Sequence, residues 1–284
     1  MKKIAIITGA DGGMGQEHTK AVAHAGYEVV MACRDIKKAQ SICNELNQQF
    51  NQTISVIELD LASFLSINHF VQEIKNRYSH VDLLLNNAGT LCHYPEPTKD
   101  GIENTVGVNY LGHYYLTKQL VELMPHGSRI VNMVSLTYRY GKISDKLFEA
   151  VDIKHFNRFT AYSNSKLALL YFTLDAAEEL KSRGIAVNCA DPGIVSTNII
   201  RMGNVIIDKM CDWFFRPIIK KPKTGAATML FLALTTDLNV TGQCYANNKQ
   251  VHLKEKLIKN PQRQQLKIQT DKIIAQITEN LKLC

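Results

Sequence analysis

The sequence predicts an α/β fold, in which a doubly wound and mostly parallel sheet lies between two layers of helices. Three observations predict it. Short β-branched runs alternate with helix-length amphipathic stretches, the runs are apolar throughout, and polar motifs follow their ends. Strands buried on both faces have this pattern because helices cover both sides of a parallel sheet. A ligand site is therefore expected at the carboxyl edge of the sheet.

Six segments are predicted to be strands, and each leads into a helix-length segment. Their order gives repeated strand–helix–strand units, which are joined by right-handed crossovers. The predicted strands span residues 4–8, 28–32, 54–59, 81–86, 129–134 and 185–190.

The 284 residues are predicted to form one three-layer domain. A hydrophobic content of 45% and a charged content of 21% exclude disordered and fibrous proteins, and no linker or repeat divides the chain. Residues 1–250 are expected to form the main body. A helical lid rich in Ile, Met, Trp and Phe is expected at about 200–223, and residues 251–284 are expected to add a terminal amphipathic helix.

Cysteine usage and hydropathy indicate the compartment. Seven cysteines are scattered without paired spacing, so neither a disulfide framework nor a metal site is predicted, and a reducing cytoplasmic location is expected. The apolar start stops at Thr8-Gly9, which is unlike a signal peptide. The longest uncharged run near the C-terminus, 224–236, is shorter than the ~20 residues that span a bilayer.

A Gly-rich turn follows the first predicted strand, with the spacing TGxxxGxG over residues 8–15. Glycines there permit a tight turn and bring a pyrophosphate close to backbone N–H groups at a helix N-terminus. The turn therefore predicts a dinucleotide site. Its candidate residues are Thr8, Gly9, Asp11, Gly13, Met14 and Gly15.

Arg34 follows the second strand, where a dinucleotide fold meets the adenosine ribose. A guanidinium there can bind a 2′-phosphate, which favours NADP(H) over NAD(H). Alternatively, Arg34 pairs with Asp35 or a helix carboxylate. Asp60, next to Leu61 after the third strand, is a candidate for accepting from the adenine amino group or for capping the next helix.

Tyr162 and Lys166 stand four residues apart, on one face of a predicted helix. A neighbouring ammonium favours the phenolate and lowers the pKa of a tyrosine, which makes it a better proton shuttle. Ser135 closes a strand at the same sheet edge and could donate to a substrate carbonyl, although a serine there is commonly a helix N-cap.

Further polar motifs follow the remaining strands. Asn109 could hold a proton-relaying water, and Asn87 with Ala88 and Gly89 lies at the carboxyl edge. The turn after the sixth strand could present backbone groups and a hydroxyl to a nicotinamide carboxamide. Its candidate residues are Pro192, Gly193, Val195 and Thr197.

Taken together and in order, these motifs over residues 1–250 resemble the short-chain dehydrogenase/reductase family, which has a Rossmann fold. The sequences around Cys33-Arg34-Asp35, 109–113, 161–168 and 221–228, with the 27-residue step from Ser135 to Tyr162, resemble its retinol-dehydrogenase-like branch.

The resemblance implies a dinucleotide-binding catalytic domain and a role for each of four residues. Asn109 would hold the water relay, Ser135 would polarise the carbonyl, Tyr162 would be the general acid/base, and Lys166 would lower its pKa and bind the nicotinamide ribose. Asp11-Gly12, Gln16 and Asp191 depart from the usual residues, and the first two make the cofactor preference less secure than the chemistry.

The expected activity is hydride transfer between nicotinamide and a carbonyl or alcohol. The apolar lid favours a bulky steroid, retinoid-like or long-chain substrate, although the same stripe could be packing or a subunit contact. Two alternatives are a reductase of carrier-protein-bound 3-oxoacyl groups and a non-catalytic NADP(H)-binding regulatory protein. The intact set of four residues argues against the second.

The net charge of +7 lies entirely after residue 200. It is interpreted as a solvated face, while Trp213-Phe214-Phe215 beside Arg216 leaves peripheral membrane contact open. Nucleic-acid binding lacks any module signature. The family resemblance implies a homo-oligomer, which the lid and C-terminal extension could block.

Overall fold

The computed structural model describes residues 1–50, 53–149, 152–193 and 221–283. Within these ranges one eight-stranded sheet has the order β3-β2-β1-β4-β5-β6-β7-β8. All neighbours are parallel except β7 and β8, which are antiparallel. The strands are β1 (Ile4–Thr8), β2 (Glu28–Cys33), β3 (Ile54–Glu58), β4 (Leu83–Asn86), β5 (Arg129–Met133), β6 (Ala186–Asp191), β7 (Cys244–Ala246) and β8 (Lys249–Val251).

The predicted doubly wound sheet is confirmed, and all six predicted strands are present with ends shifted by at most two residues. The prediction missed β7 and β8, because three-residue strands carry too short a pattern to show a period. A hairpin signal was nevertheless present. Asn247 and Asn248 join the two strands with φ of 52° and 60°, the left-handed backbone of a type I′ turn.

Helices cover both faces of the sheet. One apolar layer packs α1, α2 and α7 against it, and the other packs α3, α5, α6 and α9. The helices are α1 (Gly13–His24), α2 (Ile36–Gln49), α3 (Phe64–Arg77), α4 (Asn104–Val106), α5 (Gly112–Leu120), α6 (Arg158–Leu180), α7 (Pro222–Leu234), α8 (Glu255–Ile258) and α9 (Pro261–Leu283). A π-helical turn, Gly107–Leu111, joins α4 to α5.

The C-terminal helix packs onto the body of the domain. Leu266 of α9 is buried, and Thr270 Oγ1 lies 2.7 Å from the hydroxyl of Tyr110. The guanidinium of Arg263 donates to Asp175 on α6 at 2.5 Å. The predicted lid at about 200–223 lies almost wholly outside the described residues. Among the helices that the structure describes, none is long and apolar enough to cross a bilayer.

The Gly-rich turn is held tightly against the start of α1. Gly9 has a φ of 61°, in the left-handed region that favours glycine. A Cβ on Gly15 would lie 2.2 Å from the carbonyl oxygen of Gly9 and 2.6 Å from Cα of Ala10. Only glycine fits at position 15, so the turn and the helix stay in close contact at the carboxyl edge.

Candidate active site

A cavity of about 570 Å³ lies at the carboxyl edge of the sheet, above the Gly-rich turn. Most of the predicted cofactor residues line it, namely Gly9, Asp11, Gly13, Met14, Gly15, Arg34, Asp60, Leu61, Asn87, Ala88 and Gly89. Thr8 lies buried beneath them. Sequence reasoning missed further lining residues, which are Leu59, Thr90, Cys92, Glu96, Asn104 and Val108. Leu59, Thr90, Cys92 and Glu96 lie after strands or in loops, and Asn104 and Val108 lie in α4 and the π-helical turn, where the spacing carries no motif.

Thr8 fastens the Gly-rich turn to the loop after β4. Its hydroxyl oxygen accepts from the backbone N–H groups of Asn87, at 2.9 Å, and Ala88, at 3.0 Å. The Asn87 amide in return donates to the Thr8 carbonyl at 2.8 Å. These bonds fix the spacing of two loops on opposite walls of the cavity.

His113, which sequence reasoning did not single out, extends this network. Its Nε2 lies 3.0 Å from the Thr8 hydroxyl and its Nδ1 lies 3.2 Å from the carbonyl oxygen of Asn109. Burial lowers its pKa to about 3, so the ring is neutral. Because a carbonyl can only accept, Nδ1 carries the hydrogen and Nε2 accepts from Thr8. The signal in the sequence was its i+4 spacing from Asn109.

The start of α1 fits the phosphates of a dinucleotide. Gly12 is its N-cap and supplies no side-chain hydrogen bond, so the first-turn N–H groups face the cavity edge without a side-chain cap. Together with the positive end of the helix dipole, such groups form an anion site. The N–H groups of the turn are hydrogen-bond donors suited to a pyrophosphate, and the Arg34 guanidinium at the cavity rim is a donor suited to the adenosine ribose end.

Charged side chains crowd the rim beside β2. Arg34 is exposed and lines the cavity. Its neighbour Asp35 is the N-cap of α2 and accepts from the backbone N–H of Lys38 at 3.0 Å. Lys38 Nζ forms an ion pair with Asp11 at 2.7 Å.

Asp60 has a local role in the structure. Its carboxylate accepts from the Ala62 N–H at 3.0 Å and pairs with Lys99 Nζ at 3.2 Å. Ser63 caps α3, so the interpretation of Asp60 as the cap of that helix is wrong. The capping residue stands three positions later because the chain makes a turn before the helix begins.

Three of the four predicted chemistry residues, Ser135, Tyr162 and Lys166, meet at the end of β5. Lys166 is only 2% exposed, and its Nζ donates to the carbonyl oxygen of Met133 at 2.8 Å. The same ammonium lies 5.5 Å from the centroid of the Tyr162 ring. Ser135 caps a short 3-10 turn, with its Oγ accepting from the Thr137 N–H at 3.4 Å. The interpretation of this serine as an N-cap is confirmed, and its donation to a substrate carbonyl stays a prediction.

Burial dominates the pKa values at this end. It raises the pKa of Tyr162 to about 12, against a lowering by its hydrogen bond with Ser135. It lowers the pKa of Lys166 to about 8, against a raising by the charge of Asp191. The pKa of Tyr162 is therefore shifted in the direction opposite to the lowering expected from Lys166. Desolvation disfavours the charged form of both groups, so the phenol is held protonated, and the amine is charged below about pH 8 and loses its proton above it.

Asn109 lies in the π-helical turn, and its amide is fully used by protein partners. Its Oδ1 accepts from the Thr90 N–H at 2.7 Å. Its Nδ2 donates to the Thr90 carbonyl at 2.9 Å and to the Ser165 hydroxyl at 3.0 Å. Ser165 in turn donates to the Tyr162 carbonyl at 2.7 Å. The amide thus ties the cavity wall to the helix that carries Tyr162 and Lys166, a link that pattern reasoning did not foresee.

The loop after β6 closes this side of the site. Asp191 is 6% exposed, and its Oδ1 accepts from the Gly193 N–H at 2.9 Å. Gly193 has a φ of 73°, which favours glycine there. Pro192 precedes it, while the candidates Val195 and Thr197 lie outside the described residues. Within the described ranges, no group of three metal-binding side chains is present.

Known proteins are similar to this chain in sequence and in fold. The sequence profile of the short chain dehydrogenase family matches residues 3–204. Retinol dehydrogenase 11 of Homo sapiens is 36% identical over 242 residues, which cover 84% of this chain and 74% of that protein. The predicted resemblance to the family and to its retinol-dehydrogenase-like branch is confirmed.

Solved structures agree with the sequence comparison. An uncharacterized protein from Mycobacterium paratuberculosis aligns with a TM-score of 0.76 at 26% identity, over 95% of this chain and 92% of that one. A blue fluorescent protein from a metagenomic library, solved in complex with NADPH, aligns with a TM-score of 0.69 at 25% identity, over 86% and 95%. The chain therefore belongs to the short-chain dehydrogenase family and is an NAD(P)-dependent oxidoreductase.

Proposed function

We propose that this protein interconverts a bulky apolar carbonyl and its alcohol with NADP(H), using Asn109, Ser135, Tyr162 and Lys166. The observation that carries the proposal is the group of Tyr162, Ser135 and Lys166 at the end of β5, on the same sheet edge as the Gly-rich turn. A proton donor beside an anion-binding turn is what hydride chemistry on a C=O bond requires.

Each residue has a task in the reduction direction. A nicotinamide bound at this edge would supply the hydride that reduces the carbonyl carbon. Tyr162 gives its phenolic proton to the carbonyl oxygen as the C=O double bond becomes a single bond. The Ser135 hydroxyl, which forms a hydrogen bond with Tyr162, would donate to the same carbonyl oxygen and stabilise its developing charge. The phenolate left behind is reprotonated from solvent.

Lys166 and Asn109 support the transfer of the proton from Tyr162 to the carbonyl oxygen. The Lys166 ammonium lies near the Tyr162 ring, so it favours the phenolate that forms when the proton leaves. Asn109 fixes Thr90 and Ser165, and through them the helix backbone at Tyr162. We therefore assign Asn109 a positioning role, and the water relay implied by the family stays a prediction.

Two features favour a bulky apolar substrate. Leu136 follows Ser135 directly and is 47% exposed, and Phe159, one turn before Tyr162, is 57% exposed. Tyr140 and Tyr94, on loops after β5 and β4, are also exposed aromatic residues. Exposed apolar side chains on the segments that carry a reactive group are consistent with an apolar ligand. The relation to a retinol dehydrogenase points to the same class.

The choice of NADP(H) rests on Arg34. Its guanidinium is exposed at the cavity rim, while the adjacent Asp35 carboxylate is used to cap α2. This exposure supports the proposal that Arg34 binds a 2′-phosphate in the bidentate way that guanidinium groups favour. A cytoplasmic location and a homo-oligomeric state stay predictions.

The test is turnover by the wild type and by Tyr162→Phe. Oxidation of NADPH is followed with steroidal, retinoid-like and long-chain carbonyls and with small polar ones. We expect preference for the bulky apolar group, and loss of turnover in the variant by a factor of about 10² to 10⁴, as for removal of a general acid. NADPH affinity, measured by fluorescence titration, should change by less than about twofold, since only one hydroxyl is removed.

A matched control is Tyr140→Phe, which removes an exposed hydroxyl outside the reacting group. Its turnover should equal that of the wild type. Equal loss in both variants, or retention of turnover in Tyr162→Phe, would contradict the role of Tyr162. Preference for small polar carbonyls would contradict the substrate class and leave the chemistry standing.

A further inference from the structure

The rim of the cavity beside β2 contains an ion pair that crosses from one loop to another. Asp11, in the Gly-rich turn, is joined to Lys38, in the first turn of α2, by a 2.7 Å contact between Oδ2 and Nζ. The Asp11 side chain is 18% exposed and that of Lys38 is 50% exposed. The pair therefore lies at the surface with its anionic end turned inward.

The Asp11 carboxylate lies close to the end of β2. Its charge contributes to raising the pKa of the Cys33 thiol to about 12, after the larger effect of burial. Cys33 is the last residue of β2 and directly precedes Arg34. Gln16 Nε2 donates to the Asp11 carbonyl at 3.1 Å and helps to hold this part of the turn in place.

This rim carries both cationic and anionic side chains. Arg34 and Lys38 are the cations that could meet a 2′-phosphate, and Asp11 lines the same cavity as Arg34. Asp35 is already used by the backbone of α2, so Asp11 is the carboxylate that pairs with Lys38. A phosphate dianion that recruited Lys38 would have to replace Asp11 as its partner and then lie near an unpaired carboxylate.

We propose that Asp11 is a specificity-determining residue, which holds Lys38 in an ion pair and so weakens discrimination between NADP(H) and NAD(H). The inference rests on the proposed nucleotide site but goes beyond it. Arg34 supplies a preference for a 2′-phosphate, and Asp11 limits that preference by withholding a second cation. The protein is thus expected to use both cofactors, with a smaller preference for NADP(H) than Arg34 and Lys38 would give together.

The experiment measures binding of adenosine 2′,5′-bisphosphate and of 5′-AMP by calorimetry to the wild type, Asp11→Asn, Lys38→Gln and the double variant. These probes carry no nicotinamide, so the result does not depend on turnover. Asp11→Asn should tighten binding of the bisphosphate by about fivefold to tenfold, as expected for releasing one partly exposed cation toward a dianion. Binding of 5′-AMP should change by less than about twofold.

The double variant shows whether the effect passes through Lys38. Lys38→Gln alone should have little effect, because its charge is already paired, and in the Asp11→Asn background it should remove the gain. Glu73→Gln, which removes one exposed carboxylate on α3, is the control for net charge. The inference would be overturned if Asp11→Asn left the ratio of bisphosphate affinity to 5′-AMP affinity unchanged. It would also be overturned if the tighter bisphosphate binding of Asp11→Asn persisted when Lys38→Gln was added.

Failure of the proposed function would look different. If the wild type bound neither probe, the adenosine site itself would be wrong and the inference would fall with it. If both probes bound and only the ratio failed to move, the nucleotide site would stand and the role of Asp11 alone would be lost. Absence of carbonyl turnover would leave both binding results valid.

Discussion

Two parts of the carboxyl edge, the adenosine end at the cavity and the chemistry end at the end of β5, use the same kinds of charged groups under opposite conditions. At the adenosine end, Lys38 is half exposed and pairs with Asp11. At the chemistry end, Lys166 is almost completely buried and donates to a backbone carbonyl. Solvent screens the first pair, whereas burial lowers the pKa of Lys166 to about 8.

This difference shows that burial decides what a charged side chain affects. Near solvent, a change of charge mainly alters the affinity for a charged ligand. In the interior, the cost of desolvation moves protonation itself, as it does for Tyr162 and Lys166. Substitutions should therefore act on ligand choice at one end and on pH dependence at the other.

The largest expected effect is acid destabilisation through two buried histidines. Burial lowers the pKa of His18 to about 4 and of His113 to about 3. Below the unfolded pKa of about 6.5, the unfolded chain binds two protons that the folded chain does not bind. The free energy of unfolding should therefore fall as the pH drops from about 6 to about 4.5, at a rate approaching 2.7 kcal/mol per pH unit.

Urea unfolding across that pH range measures the slope. His18→Gln and His113→Gln should each remove about half of it, because each removes one proton from the balance. Exposed His24→Gln, on the same helix as His18, should leave the slope unchanged. A slope that both buried-site variants retain would show that other groups cause the acid sensitivity.

The next effect concerns the adenosine end. Arg34→Gln should weaken NADPH binding by about tenfold to hundredfold, because a charge-assisted bond to phosphate is lost. NADH binding should change by less than about twofold. Fluorescence titration with both cofactors measures the ratio of the NADPH affinity to the NADH affinity. The neighbouring exposed Lys37→Gln is the matched variant, and an equal loss in both would mean that general positive charge, not Arg34, binds the phosphate.

The third effect belongs to the chemistry end. Activity is lost there as the pH rises, whereas the stability described above is lost as the pH falls. Lys166 is charged below its pKa of about 8 and neutral above it. If its ammonium supports proton transfer from Tyr162, kcat/KM for reduction should fall by about tenfold per pH unit above about pH 8. A stopped-flow profile of NADPH oxidation measures this limb. A flat profile up to about pH 10 would contradict a role for the charged form.

The smallest effect tests whether the rim ion pair matters for stability. Lys38→Gln should change the free energy of unfolding by less than about 0.5 kcal/mol, since exposed ion pairs contribute little. Urea unfolding at neutral pH is sufficient. A loss above about 1.5 kcal/mol would show that the Asp11–Lys38 pair holds the turn in place, and that its contribution is structural.

Much of the fold could be predicted because it depends on local patterns in the sequence. Apolar runs such as residues 129–134 identify buried parallel strands, and the glycine spacing at 8–15 identifies the turn after β1. The three-residue strands β7 and β8 could not be found this way, since two or three residues contain no period. The capping alternative for Asp60 could not be decided from the sequence either, because Asp60 and Ser63 are both good capping residue types.

The sequence by itself determined the sheet, the turn and the presence of Tyr162 and Lys166 on one helix face. These depend on neighbours within a few positions along the chain. Only the tertiary structure decided that Asp11 pairs with Lys38, that Asn109 clamps Thr90 and Ser165, and that burial raises the pKa of Tyr162. The reason is physical: desolvation and contacts between distant residues exist only after the layers have packed.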